Sequence, residues 1–242
     1  MDAASANQSS HSLTDVRAVV LDAVGTLMFP EPNVAQVYRA VGRKFGSLRD
    51  ETEIGERFAV ALARHNTDER SDEALERRRW RAIVGDVFDD LSPLPDALFE
   101  QLWNHFALPA SWQLFDDVLP MWQMLAQRGI RRVIASNFDD RLKPLCSDLL
   151  PLDEQDVILA ATQLGAAKPN ARFFAGVAGA VQLQPRQLLM IGDSLRDDMH
   201  GASQAGWETV WLDRWQSSDP TPAYDRKIRS LEELAPLLWP AG

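Results

Sequence analysis

Four short stretches of this 242-residue chain carry side chains able to do covalent chemistry. The first is Asp22-Ala23-Val24-Gly25-Thr26, a carboxylate followed by a flexible turn. The second is Ser136-Asn137, the third Lys168-Pro169, and the fourth Gly192-Asp193-Ser194-Leu195-Arg196-Asp197-Asp198. A carboxylate is a weak nucleophile unless it is held in line with its target, and the end of a rigid strand provides that alignment. The acidic fourth stretch is competent to hold a hard cation. Each stretch alone is an ordinary turn, cap or surface charge. Chemistry requires that they meet.

The elements around them give a reason for meeting. Val16-Arg17-Ala18-Val19-Val20-Leu21 is a short apolar run ending at Asp22, as a buried parallel strand would be. Arg132-Val133-Ile134-Ala135 ends at Ser136, and Leu188-Leu189-Met190-Ile191 ends at Gly192-Asp193. Thr209-Val210-Trp211-Leu212 and Val157-Ile158-Leu159-Ala160 read as two further strands. Helical stretches lie between them: Pro120 to Gln127, stopped by Gly129, and Asn170 to Val181. Strand and helix in alternation predict an α/β fold with a Rossmann-like parallel sheet. Ligands of such sheets bind at the carboxyl edge, where all these polar residues would stand.

Residues 31–112 follow a different rule. Val34, Val37, Tyr38 and Val41 fall at helical spacing, as do Trp80, Ile83, Val84, Val87 and Phe88, and strand signals are sparse. The expected organisation is a disordered lead of small polar residues over 1–14, an α/β core of 15–30 and 113–242, and a helical insert of 31–112 after the first strand.

Bulk properties narrow the partners. A formal net charge of −10 argues against a nucleic-acid binder. Arg77-Arg78-Arg79 with Arg81 is read as a solvated helix face. The single cysteine, Cys146, permits no internal disulfide and suits a small core hydrophobe. No apolar stretch reaches the roughly 18 residues of a membrane span, and a secretory leader is not evident, so a cytoplasmic location is expected. His11, His65, His105 and His200 show no paired metal spacing.

In this order and on these strand tips, the four stretches resemble the motifs of the haloacid dehalogenase-like hydrolases, over nearly the whole chain from about residue 15. The insert resembles the cap of the branch holding dehalogenases, phosphonatases and phosphoglycolate-type phosphatases. Asp22-Ala23-Val24-Gly25-Thr26-Leu27 and Ser136-Asn137-Phe138-Asp139 look most like the rhythmically-expressed-gene-2-like group. The resemblance implies Asp22 as nucleophile, and Mg²⁺ held by Asp22, the Val24 carbonyl, Asp193 and Asp198, with Asp197 competing for the last place. It implies Lys168 as the charge that neutralises Asp22 and substrate, Ser136 and the Asn137 amide as donors to the transferring group, and Thr26 as support for the loop and the substrate. The partner would be a small phosphate ester, and the protein a monomer or homodimer.

One residue departs from the pattern. Phosphatases of this family carry a second aspartate two positions after the nucleophile, where this chain has Val24. A valine transfers no proton, so general acid–base help of about 10²–10⁴-fold is missing there. The expected activity is a Mg²⁺-dependent phosphatase working through an aspartyl-phosphate. The alternatives are a metal-independent 2-haloacid dehalogenase-like or phosphonatase-like hydrolase, or a binding protein on the same fold. Asp193 and Asp198 favour phosphorus chemistry, and a phosphonatase would need a cap lysine, where the insert offers Lys44 alone. The doublets Asp89-Asp90, Asp116-Asp117 and Asp139-Asp140 stand at loop or helix-start positions and are expected to be caps; Trp80 and Trp103 are expected to pack, with lining a substrate pocket as the alternative.

Overall fold

A computed structural model describes residues 13–65, 70–216 and 226–240. Six strands form one parallel sheet in the order β5-β4-β1-β6-β7-β8. They are β1 (Ala18–Leu21), β4 (Arg131–Ser136), β5 (Val157–Ala160), β6 (Leu188–Gly192), β7 (Glu208–Leu212) and β8 (Lys227–Ile228). β1 lies between β4 and β6, with Leu21 level with Ile134 on one side and Ile191 on the other. The three strands that end in polar residues are therefore neighbours, and their tips share one edge.

Alternation along each strand supplies two cores. Val19, Leu21, Ile134 and Ile191 pack one way, against Trp122 and Leu125 of α5 (Val118–Gln127) and Leu145 of α6 (Leu142–Leu149). Ala18, Val20, Val133 and Met190 pack the other way, against Phe173, Phe174 and Val177 of α8 (Ala171–Val181). Every residue of β1 is fully buried, and each large apolar one contributes roughly 1.5–3 kcal/mol. The predicted helix ends hold locally: the Asn170 side chain caps α8, and Gly129, at φ +68°, closes the turn after α5.

Residues 31–112 hold α1 (Val34–Lys44), α2 (Glu51–His65), α3 (Glu73–Val87) and α4 (Asp96–His105). They share an apolar cluster built on Tyr38, Ile54, Ile83, Phe88 and Leu102. A reciprocal capping box between Asn33 and Gln36 starts α1. The chain enters and leaves these helices through two strands that the apolar pattern does not reveal, β2 (Met28–Pro30) and β3 (Trp112–Leu114). They pair antiparallel, with Pro30 opposite Trp112. Of the lead expected to be disordered, residues 1–12 lie outside the described residues. Leu13 and Thr14 correct the rest of that expectation: they sit in a 3-10 turn whose Leu13 is buried in the core. No helix among the described residues is long and apolar enough to cross a membrane.

Candidate functional site

The sheet edge brings the four stretches together around one lysine. Lys168, 2% exposed, donates from Nζ to Asp22 Oδ1 at 2.6 Å and to Asp198 Oδ1 at 2.6 Å. A third bond goes to the Ala135 carbonyl at 3.2 Å, on the strand beside the nucleophile candidate. Burial alone would lower the lysine pKa. The carboxylates of Asp198 and Asp22 outweigh it, so the ammonium is held more firmly than in water.

Asp22, Asp193 and Asp198 present carboxylate oxygens within 4.8 Å of one another. Burial pushes Asp198 up to about 7, with Lys168 opposing, and pushes Asp193 up to about 6, with the Asp22 charge adding. A cation placed among them would restore the charged forms. The backbone is built to let them approach. Gly25, at φ +84°, faces Asp193, and a Cβ there would overlap its carboxylate. A Cβ on Gly192 would overlap the Asp198 carboxylate in the same way. Gly192→Ala is therefore expected to push Asp198 off Lys168, costing about 1–3 kcal/mol of stability by overpacking. Loss of hydrolytic rate checks the first effect, and thermal unfolding the second.

The fourth stretch is not an α-helix start. Leu195–His200 is a π-helical turn whose Ser194 side chain caps the Asp197 amide at 3.0 Å. This wide turn leaves Asp197 lining the cavity described below and carries Asp198, 1% exposed, inward to Lys168. Asp198, not Asp197, joins the acidic cluster. Trp211 holds the Asp193 carbonyl through its indole at 3.0 Å.

Asn137 has a part that sequence reasoning missed. Its side-chain oxygen accepts the Lys168 amide at 2.7 Å, and its side-chain nitrogen donates to the Lys168 carbonyl at 2.9 Å. The amide thus clamps the backbone that presents the lysine. An Asn directly after a strand-tip Ser is the only trace of this in the sequence. Ser136 is buried beside it and lines the cavity. Thr26, expected to support substrate, has no exposed surface and is not part of the cavity wall. That expectation is corrected: Thr26 is shut inside the loop, and its carbonyl accepts Arg214 Nη2 at 2.8 Å.

The cavity of about 400 Å³ runs from the strand tips into the helices. Asp22, Val24, Ser136, Lys168 and Asp193 form its polar end, and aromatic rings of the helical segment form the rest. Trp80 and Trp103, for which packing was the expectation and pocket lining the alternative, both line it. Arg141 pairs with Asp139 through Nε at 2.7 Å and Nη2 at 2.6 Å, donates to the Trp103 carbonyl at 2.9 Å, and lies 3.5 Å over the Trp103 ring. Asp139 is thus an ion-pair partner as well as a local cap, its Oδ1 also accepting the Arg141 amide at 3.1 Å. Asp117 stands at the start of α5 but caps nothing there with its side chain: it binds Arg214, Ser230 and the Leu231 amide. Asp89 pairs with Arg49 and Arg57. Cys146 is buried, and burial, with Asp22 nearby, pushes its thiol up to about 12. Lys44 is exposed at the end of α1. His65 binds Asp86, and His200 pairs with Gln204; His11 lies outside the described residues.

Known proteins share this plan. The family described as haloacid dehalogenase-like hydrolase matches residues 16–206. Haloacid dehalogenase-like hydrolase domain-containing protein 3 of Mus musculus is 24% identical over 232 residues, 92% of this chain and 91% of its own length. Phosphoglycolate phosphatase of Chromobacterium violaceum is 25% identical over 236 residues, covering 94% of this chain and 98% of the relative. The crystal structure of a HAD phosphatase from Thermococcus onnurineus superposes with a TM-score of 0.67 at 26% identity, covering 93% of this chain and 98% of that one.

Proposed function

Because the chain belongs to the haloacid dehalogenase-like hydrolases and is a hydrolase by that membership, we propose that it is a Mg²⁺-dependent phosphatase acting on a small phosphorylated metabolite. The observation that carries this reading is the triad of carboxylates at the strand tips, closed by a buried lysine. Relatives named as phosphatases favour phosphorus chemistry over cleavage of a carbon–halogen bond.

The residues fit the metal. All the donors are oxygens, as Mg²⁺ prefers, and among the described residues no side-chain cation forms an ion pair with Asp193. Asp22, Asp193 and Asp198 would hold the ion, with the Val24 carbonyl completing the set. When bound, it would supply positive charge that offsets the repulsion between the carboxylate and the phosphoryl group.

The chain's own groups do the rest. Lys168 occupies one oxygen of Asp22 and leaves the other to attack phosphorus. A bond forms from Asp22 to phosphorus while the bond to the leaving oxygen breaks, and that oxygen departs with the electron pair. Ser136 and the Asn137 amide donate to the transferring group, and Lys168 stabilises its charge. Water then attacks the aspartyl-phosphate, releasing inorganic phosphate and restoring Asp22. Val24 lines the cavity at the polar end and can neither protonate the leaving oxygen nor activate the water.

The test is hydrolysis of an activated aryl phosphate, with and without Mg²⁺, by the wild type and Val24→Asp. An activated leaving group needs little protonation, so the wild type should turn it over and lose the rate on chelation. Val24→Asp should gain at least about tenfold on ordinary alkyl phosphates, a part of the roughly 10²–10⁴-fold that a well-placed general acid–base supplies. A wild type inert to phosphates but releasing halide without metal would replace this reading with a dehalogenase. Inertness to both would make the fold a binding module.

A further inference from the structure

The cavity beyond Asp22 has a character of its own. Tyr38, Phe58, Trp80, Phe99, Trp103 and Phe106 line it, an arrangement suited to a flat apolar ring. One cation stands among them with donors to spare. Arg79 of α3 lines the cavity with its side chain only 14% exposed. Among the described residues its ion pair is with Glu76, through Nε at 3.5 Å, and no hydrogen bond satisfies that nitrogen. Glu76 is itself shared with the Ser71 hydroxyl at 3.1 Å. Arg141, the other arginine of the wall, has Asp139 and the Trp103 carbonyl for its donors. Arg79 was expected on a solvated face with Arg77 and Arg81; those two pair with Glu100 and Asp96, and Arg79 turns to the cavity instead.

A guanidinium at a cavity wall, only 14% exposed and with terminal donors that bond no protein group among the described residues, is suited to a ligand anion, and its planar fork matches a carboxylate. At the other end, Val24 offers no proton to the leaving oxygen. A phenol, of pKa about 10, leaves without that help far more readily than an alkyl alcohol. Ring-lined wall, missing acid and distal cation select the same molecule. We infer that the site takes an aryl phosphomonoester bearing a carboxylate on the far side of its ring, with Arg79 as the specificity-determining residue. This rests on the phosphatase reading. The phenolate leaves with the electron pair of the phosphorus–oxygen bond and takes its proton from water.

The experiment uses the Mg²⁺-loaded full chain with p-carboxyethylphenyl phosphate, p-tolyl phosphate of similar leaving group, and acetyl phosphate, which is too small to need the rings. The expected kcat/KM for the carboxylated ester exceeds that for the tolyl ester by roughly 10- to 100-fold, the range of a charge-assisted hydrogen bond. Arg79→Gln should bring that ratio close to one, and Arg79→Lys should restore part of it. A ratio near one in the wild type, or an equal fall for both esters in Arg79→Gln, overturns the proposal. Failure on all three phosphates would defeat the phosphatase reading instead. The pocket is then read without turnover, by tryptophan fluorescence during titration with p-hydroxyphenylpropionate. Saturable quenching that Arg79→Gln abolishes supports the pocket assignment, and its absence from the wild type overturns it.

Discussion

Asp22→Asn should reduce phosphate-ester hydrolysis to the background rate, a loss of about 10⁴-fold or more, as when a covalent nucleophile is removed. The substitution keeps the size of the side chain and one oxygen for Lys168, so the fold should survive. What it removes is the charged oxygen that would attack phosphorus. Position makes the test sharp: Asp22 follows the central strand β1 and its amide donates to the Ile191 carbonyl at 3.0 Å, so the asparagine stays in place. Acid quenching of the wild type during turnover should trap phosphate on the peptide containing Asp22, and mass spectrometry of the variant should show none. Retention of more than a tenth of the rate would move the nucleophile elsewhere.

Lys168→Met should be the most destabilising change at the site. The lysine lies between Asp22 and Asp198, and the methionine leaves those two carboxylates facing each other with no counter-charge. Breaking a buried pair in this way costs about 3–5 kcal/mol. The sign follows from the direction of the shift. Lys168 titrates above its unfolded value of about 10.4, so its stabilisation is complete at neutral pH and is lost only as pH rises through the folded value. Urea unfolding at neutral pH without divalent metal should show the deficit, and millimolar Mg²⁺ should return part of it by binding the folded state alone. A variant as stable as the wild type in chelator would show that the lysine is not the charge that holds the triad.

The sheet was legible because a parallel strand buried on both faces has to be a continuous apolar run. Val19–Leu21, Val133–Ala135 and Leu188–Ile191 could be little else, and their polar endings marked the edge that matters. What escaped has equally physical reasons. β2 and β3 are three residues each, too short for a period to register. The π-helical turn at Leu195 has no residue signature, yet it decides which of two adjacent aspartates faces Lys168. Asn137 offered its backbone to sequence reasoning and its side chain to the structure. Arg79 was misjudged because an arginine run on a helix was read as one face. Successive helical residues point about 100° apart, so Arg77, Arg78 and Arg79 could never share one. Asp117 escaped its cap reading for a similar reason: a cap is a local role, and its carboxylate binds residues about a hundred positions away.

The pairing of β2 with β3 also has an entropic meaning. Seen from the sheet, everything between Pro30 and Trp112 is a loop whose two ends already stand one strand spacing apart, about 5 Å. The cost of closing such a loop grows only with the logarithm of its length, and each doubling adds about 0.6 kcal/mol. The chain therefore carries four helices at this point for about 2–3 kcal/mol more closure cost than a turn of about four residues, roughly four doublings of length. Their number, order and lining residues can be rewritten while the strand tips, and the lysine between them, stand still.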